Sequence, residues 1–213
     1  MICVSIAERD LEQCLRAVKG IEFAEIRIDR IARPNVEVIR RIFSGPARFI
    51  ATCRPGSIGD QKKFTLLRAA VSAGACFVDI ELEWQNNLRA ALIGIARAAG
   101  CKVIISHHDF EKTPGRADLD RTLRKCFEAG ADIAKIACRV RRIKDNARLL
   151  GLLDTRRPLI VVGLGNQGRI TRIVAPLLGS PFTYASLRPG KEIAAGQLDQ
   201  GSLRKIIKRL KNV

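Results

Sequence analysis

Ala73-Gly74-Ala75-Cys76-Phe77-Val78-Asp79-Ile80-Glu81, then Leu88, Leu92 and Ile95, then Ala99-Gly100-Cys101-Lys102-Val103-Ile104-Ile105-Ser106: these residues decide the fold. Residues 76–81 and 102–106 are short apolar runs bounded by glycine, which predicts strands. Leu88, Leu92 and Ile95 stand at i, i+4 and i+7, which predicts an amphipathic helix between them. An Ala-Gly pair precedes each strand, and Ala129-Gly130 repeats it ahead of a third run at 132–137. Glycine just past a helix end is the usual C-terminal cap. Strand, helix, cap and strand therefore form a weakly repeating unit.

The same unit extends in both directions. Strand-like runs fall at 2–6, 23–28, 49–53, 76–81, 102–106, 132–137, 159–163 and 182–186. Helical spacing recurs in Leu11, Leu15 and Val18, in Phe64, Leu67 and Val71, and in Leu203, Ile206, Ile207 and Leu210. Pro176 interrupts the seventh helical pattern, which predicts a short or kinked helix there. Near-continuous apolar strands alternating with helices mean a parallel sheet covered by helices. Eight such units in 213 residues favour an α/β fold, a compact (β/α)8 TIM barrel, over an open doubly wound sheet. No linker or composition break divides the chain, so a single domain over 1–213 is expected.

Composition narrows the function classes. Hydrophobic residues make up 47%, which excludes intrinsic disorder. No run of about 18 uncharged apolar residues exists, so no membrane helix is expected. The chain enters its first strand at once, with no basic leader, which predicts a cytoplasmic protein. Seven cysteines at no C-x-x-C spacing, with only two histidines, give poor support for a metal site and read as reduced thiols. The formal net charge of +17 invites a nucleic-acid reading. Its support is one basic run at Arg139, Arg141, Arg142, Lys144 and Arg148 and another at Arg204, Lys205, Lys208, Arg209 and Lys211. Against it, aromatic residues are only 5% and no nucleic-acid motif is present.

In a barrel of this kind the active site lies at the C-terminal ends of the strands. Polar residues recur at those ends: Glu25, Arg27 and Asp29; Thr52 and Arg54; Asp79 and Glu81; His107, His108 and Asp109; Lys135; and, after the last strands, Arg172, Ser186, Arg188 and Gln197. Such a pattern predicts a polar, cation-rich site. Lys135 lies mid-strand, and alternation places it on one face with Ile133 and Ala137. Burying a charged ammonium is costly. A neutral amine in an apolar pocket with other cations nearby is the setting of a Schiff-base nucleophile. His108 suits proton transfer near neutral pH. Strands five and six are neighbours in a barrel, so both side chains could face one reacting carbon.

Gly163-Leu164-Gly165-Asn166-Gln167-Gly168 matches the dinucleotide pattern G-x-G-x-x-G, but no carboxylate stands about 20 positions on, and the motif sits in the seventh unit rather than the first. Its glycines are expected instead to let backbone approach a ligand, with the following helix and Arg172 favouring an anion.

At these residues the chain resembles type I 3-dehydroquinate dehydratase, the Schiff-base class of the shikimate pathway. The resemblance rests on Asp79-Ile80-Glu81-Leu82, a 20-residue gap, and Val103-Ile104-Ile105-Ser106-His107-His108-Asp109. Further matches are Glu25-Ile26-Arg27, Thr52-Cys53-Arg54, Asp132 to Ala137 around Lys135, Gly168-Arg169-Ile170-Thr171-Arg172 and Gly196-Gln197. Their order and spacing run over nearly the whole chain.

The resemblance implies a (β/α)8 barrel that dehydrates 3-dehydroquinate to 3-dehydroshikimate. Lys135 would form an imine with the C3 ketone. His108 would remove the C2 proton and then protonate the departing C1 hydroxyl. Arg172 would hold the substrate carboxylate, and Glu25, Arg27, Arg54 and Gln197 would bind ring hydroxyls or carboxylate. No metal or diffusible cofactor is implied; the covalent imine replaces one. Family members are often homodimers. The chain departs from the family in three places. Ile58 stands where the family has the glutamate that orients the histidine, with Asp60 able to serve if the loop shifts. Ile193-Ala194-Ala195-Gly196-Gln197 lacks the family's serine and proline. Val162-Gly163-Leu164 replaces a methionine-bearing stretch. The alternatives are an aldolase-type Schiff-base barrel and a non-catalytic nucleic-acid binder.

Overall fold

The computed structural model describes residues 1–56 and 58–211. Among the described residues eight strands alternate with eight α-helices: β1 (Ile2–Ile6), α1 (Leu11–Val18), β2 (Phe23–Arg27), α2 (Val36–Phe43), β3 (Arg48–Thr52), α3 (Asp60–Ser72), β4 (Phe77–Glu81), α4 (Asn86–Ala98), β5 (Lys102–Asp109), α5 (Arg116–Glu128), β6 (Ile133–Arg139), α6 (Asp145–Gly151), β7 (Leu159–Leu164), α7 (Arg169–Val174), β8 (Thr183–Ser186) and α8 (Gln200–Lys211). The strands are hydrogen-bonded in the order β7-β6-β5-β4-β3-β2-β1-β8. Sequence order around the sheet, with the last strand beside the first, is the connectivity of the (β/α)8 fold. The chain divides into two compact units, Ser5–Ile105 and Met1–Val4 with Ser106–Val213, and the divisions fall inside β1 and β5.

Within Ser5–Ile105 the helices begin and end where their residues dictate. The Asp10 carboxylate accepts the Gln13 amide at 2.8 Å, and the Asn35 side chain accepts the Val38 amide at 3.0 Å. Each satisfies an amide that a first turn leaves without a partner. The Ala-Gly junctions behave as caps: Gly74 and Gly100 take φ of +106° and +69°, and the next amides, Ala75 and Cys101, reach back to the Ala70 and Ala96 carbonyls. Side chains with a Cβ avoid that conformation. β2 runs parallel to β3 and β3 to β4, with Arg27 opposite Thr52 and Thr52 opposite Asp79. That register lines up one polar row at the strand ends. Helix α3 buries Leu66, Leu67, Ala70 and Val71, and among them Lys63.

Within the second unit, β6 and β7 are apolar along nearly their whole length and run parallel, with Lys135 opposite Ile160 and Arg139 opposite Leu164. Burial on both faces explains why these strands lack alternation. β5 and β6 continue past the expected ends at 106 and 137. The added residues include His107, His108, Asp109 and Arg139, polar side chains that end the apolar pattern but not the ladder. Helix α7 stops at Val174, and a 3-10 turn at Ala175–Leu177 holds Pro176. In α8 Leu203 is buried, while Arg204, Lys205, Lys208, Arg209 and Lys211 are exposed. No helix among the described residues is long and apolar enough to cross a membrane.

Candidate active site

In Ser5–Ile105 the polar strand ends form one bonded network. Arg54, just past β3, sets two parallel hydrogen bonds on Asp79 of β4, Nη1 to Oδ1 at 3.0 Å and Nη2 to Oδ2 at 2.6 Å. Its Nη1 also donates to Glu81 Oε1 at 2.7 Å. The other Glu81 oxygen takes the ammonium of Lys63 from α3. That ammonium lies 4.6 Å from the centroid of the Trp84 ring. Trp84 Nε1 and Gln85 Nε2 donate to the two oxygens of Asp60, at 2.9 and 2.6 Å. Thr52 donates its hydroxyl to Glu25 at 3.1 Å.

Arg27 grips Asp29 with two bonds, 3.0 and 2.7 Å, and the Arg54 amide adds a third at 3.2 Å. Burial alone would raise the Asp29 pKa, but these donors hold it below the usual carboxylate range. Burial likewise works against the Arg54 charge, and Asp79 and Glu81 more than offset it. Each sequence-predicted cation in this unit thus already meets a carboxylate. Asp60, the carboxylate considered as a partner for His108, has both oxygens engaged by Trp84 and Gln85.

The second unit gathers Lys135, Arg172 and Tyr184. Lys135 is buried on β6 and its Nζ lies 4.1 Å from the centroid of the Tyr184 ring on β8. Arg172, 2% exposed, donates from Nη1 to the Tyr184 carbonyl at 3.4 Å. One residue of β8 therefore contacts both cations, through its ring and its backbone. His108 lies one residue before the end of β5, half-buried, its ring stacked on Phe110 with centroids 5.8 Å apart and planes 14° apart. Gln197 is buried and accepts the Ile193 amide at 2.9 Å, which ties it to its own loop.

The glycine-rich loop has a structural use that differs from the expected approach to a ligand. A Cβ on Gly168 would fall 2.4 Å from the Gly163 carbonyl carbon, and one on Gly196 would fall 2.2 Å from the Gly165 oxygen. Gly163 and Gly168 let two backbone stretches touch, and Gly165 and Gly196 do the same. Thr171 completes the turn: its hydroxyl donates to the Gly168 carbonyl at 2.8 Å and accepts the Gly163 amide at 2.7 Å. This loop holds the 192–197 segment, because the Gly165 amide donates to the Ala195 carbonyl at 2.9 Å.

Sequence reading missed Lys63, Trp84 and Tyr184. For Lys63 a signal existed, since it stands four residues before Leu67 and seven before Ala70, on the buried face. Tyr184, the only tyrosine, reads as an ordinary core aromatic. All seven cysteines are free thiols, and burial pushes Cys14, Cys53 and Cys138 up to about 12. No group of three or more His, Cys, Asp or Glu side chains among the described residues is placed to hold a metal ion.

Comparison with known proteins agrees along the whole chain. The family described as Type I 3-dehydroquinase matches residues 2–212. A protein of Methanosarcina acetivorans named 3-dehydroquinate dehydratase is 35% identical, covering 97% of this chain and 93% of that protein. A protein of the same name from Methanocaldococcus jannaschii is 33% identical and covers 97% of each. A crystal structure of type I 3-dehydroquinate dehydratase from Clostridium difficile, with covalently modified comenic acid, is 25% identical, with a TM-score of 0.88 over 100% of this chain and 92% of that one. The chain belongs to the type I 3-dehydroquinase family.

Proposed function

We propose that this protein dehydrates 3-dehydroquinate to 3-dehydroshikimate by syn elimination through an imine on Lys135. The observation that carries the reading is a buried lysine, mid-strand on β6, its ammonium 4.1 Å from an aromatic ring centroid and sharing Tyr184 with a buried arginine. Strand packing leaves Nζ little freedom, as a nucleophile that must meet one carbonyl carbon requires.

In this scheme the Lys135 amine adds to the C3 carbonyl and water leaves, giving the imine. His108 takes the C2 proton, and the electron pair from that C–H bond is drawn into the imine, giving an enamine. The enamine then expels the C1 hydroxyl, which His108 protonates. Water hydrolyses the conjugated imine and frees the lysine. The overall products are 3-dehydroshikimate and one water. Arg172 binds the substrate carboxylate, while Glu25, Arg27, Arg54 and Gln197 bind hydroxyls or carboxylate. Arg27 and Arg54 do so as donors already aligned by Asp29, Asp79 and Glu81. The scheme uses no metal and no diffusible cofactor.

The test is borohydride reduction in the presence of 3-dehydroquinate, followed by mass analysis of the peptide bearing Lys135. A stable adduct there, formation of the enone absorbance by the native protein, and loss of both in Lys135→Ala are expected. Full turnover by Lys135→Ala would overturn the mechanism. Absence of any enone from the native protein would overturn the substrate.

A further inference from the structure

The dehydration scheme leaves the basic run after β6 without a task. Its members separate in the structure. Arg148 pairs with Asp145, whose other oxygen accepts the Arg141 and Arg142 amides at 3.0 and 2.9 Å, so this acid anchors the turn. Arg139 lies against Gly165: its guanidinium carbon and Nη1 would each stand 3.3 Å from a Cβ there. Gly165 has φ of +91°, so the position excludes other side chains twice over, by conformation and by the arginine. Arg139 forms no salt bridge among the described residues. Arg141 is held beside it, with Nε donating to the Glu111 carbonyl at 2.5 Å.

These two arginines open on a cavity of about 560 Å³ that Phe110, Glu111, Asn166 and Gln167 also line. Alternation puts Arg139 on the same face of β6 as Lys135, about 13 Å further along the strand. The cavity is in the range of small-molecule sites, about 300–1,000 Å³. We propose that it is a second binding site, for the phosphate group of a small hydroxylated metabolite. Arginine suits phosphate because its planar fork offers paired donors to paired oxygens. A phosphate fills only part of the space. The remainder is lined by Phe110, Glu111, Asn166 and Gln167, three of which are residue types that can bond hydroxyls.

Phosphate is neither reactant nor product of the proposed dehydration, so the site can be tested without turnover. Titration calorimetry on the full protein, with inorganic phosphate and with sn-glycerol 3-phosphate, should show saturable binding at about 0.15 M salt, where diffuse surface attraction is screened. Arg139→Ser, an exposed position, should weaken both ligands about tenfold or more, as loss of a charged hydrogen-bond partner does. Arg204→Ser on α8 should change neither, and Arg172→Lys should leave binding in place. Tighter binding of the ester identifies a metabolite as the ligand; equal binding identifies the free ion. No saturable binding of either, or binding that survives Arg139→Ser and is lost in Arg172→Lys, would overturn the proposal.

Discussion

Replacing Lys63 with methionine isolates one buried charge. Lys63 is 1% exposed, its ammonium bonded to Glu81 and lying over the Trp84 ring. Methionine keeps most of the stem and its apolar packing but removes the charge. Glu81 then retains Arg54 on one oxygen, at 2.7 Å, and loses the donor on the other. Breaking a buried pair from one side costs about 3–5 kcal/mol, because a charge is left uncompensated. The surviving Arg54 bond places this case at the lower end, about 3 kcal/mol, including the lost cation–π contact. With a urea slope of about 2 kcal/mol/M, the unfolding midpoint should fall by about 1.5 M. Adding Glu81→Gln should then recover about 1–2 kcal/mol, since a neutral amide needs no counter-charge and Arg54 keeps both bonds to Asp79. A midpoint within about 0.3 M of the native protein, or a further loss on adding Glu81→Gln, would refute the network as the source of stability.

Gly168→Ala should cost about 3 kcal/mol and lower Tm by about 9 °C, since its Cβ would stand 2.4 Å from the Gly163 carbonyl carbon. Gly94→Ala, mid-helix in α4 with nothing within 4 Å, should instead stabilise by about 0.5–1 kcal/mol, and calorimetry on the pair checks both signs. The buried Cys14, Cys53 and Cys138 thiols resist ionisation up to about 12 while an unfolded thiol ionises near 9, so their stabilising effect is complete below 9 and is lost as pH rises through that window. Together they should cost about 4 kcal/mol between pH 8 and 10, and the triple Cys→Ala variant should lose that slope in urea titrations. Asp29 has the opposite sign: its depressed pKa adds stability above the ordinary carboxylate value of 3.8 that disappears as pH falls below it, and Asp29→Asn should flatten the acid limb.

The order of strands and helices was legible because it depends on local chemistry. Gly74, Gly100 and Gly130 end three helices, and all three take positive φ. The ends of β5 and β6 were not legible, because His107, His108 and Arg139 interrupt the apolar pattern while their backbone still pairs. Polar strand ends were visible one at a time. Their partners were not: Arg54 meets Asp79 and Glu81 only through the register of β3 against β4, which no local pattern encodes. Lys63 escaped because a charged residue on an apolar helical stripe is ordinarily read as a solvated one. The glycine motif misdirected for a related reason. A close backbone approach requires glycine whether the other party is a ligand or, as at Gly163 and Gly168, the same chain.

The net charge of +17 bears on the site differently once the pairs are known. In Ser5–Ile105 the cations Arg27, Arg54 and Lys63 are met by Asp29, Asp79 and Glu81, so this cluster is not a reservoir of free positive charge. The carboxylates align the guanidinium groups. Such donors need little reorganisation when a polar ligand arrives, which is the condition for strong electrostatic assistance. In the other unit Lys135 and Arg172 are buried around one tyrosine, where a charge acts at short range and salt screens it weakly. The exposed cations of α8 can act only at long range, on the rate at which an anion arrives. Arg139 is intermediate: solvent-exposed yet seated against Gly165, it lines a cavity and forms no salt bridge among the described residues. Cations held in place act at short range on whatever they touch, and total charge governs only encounter.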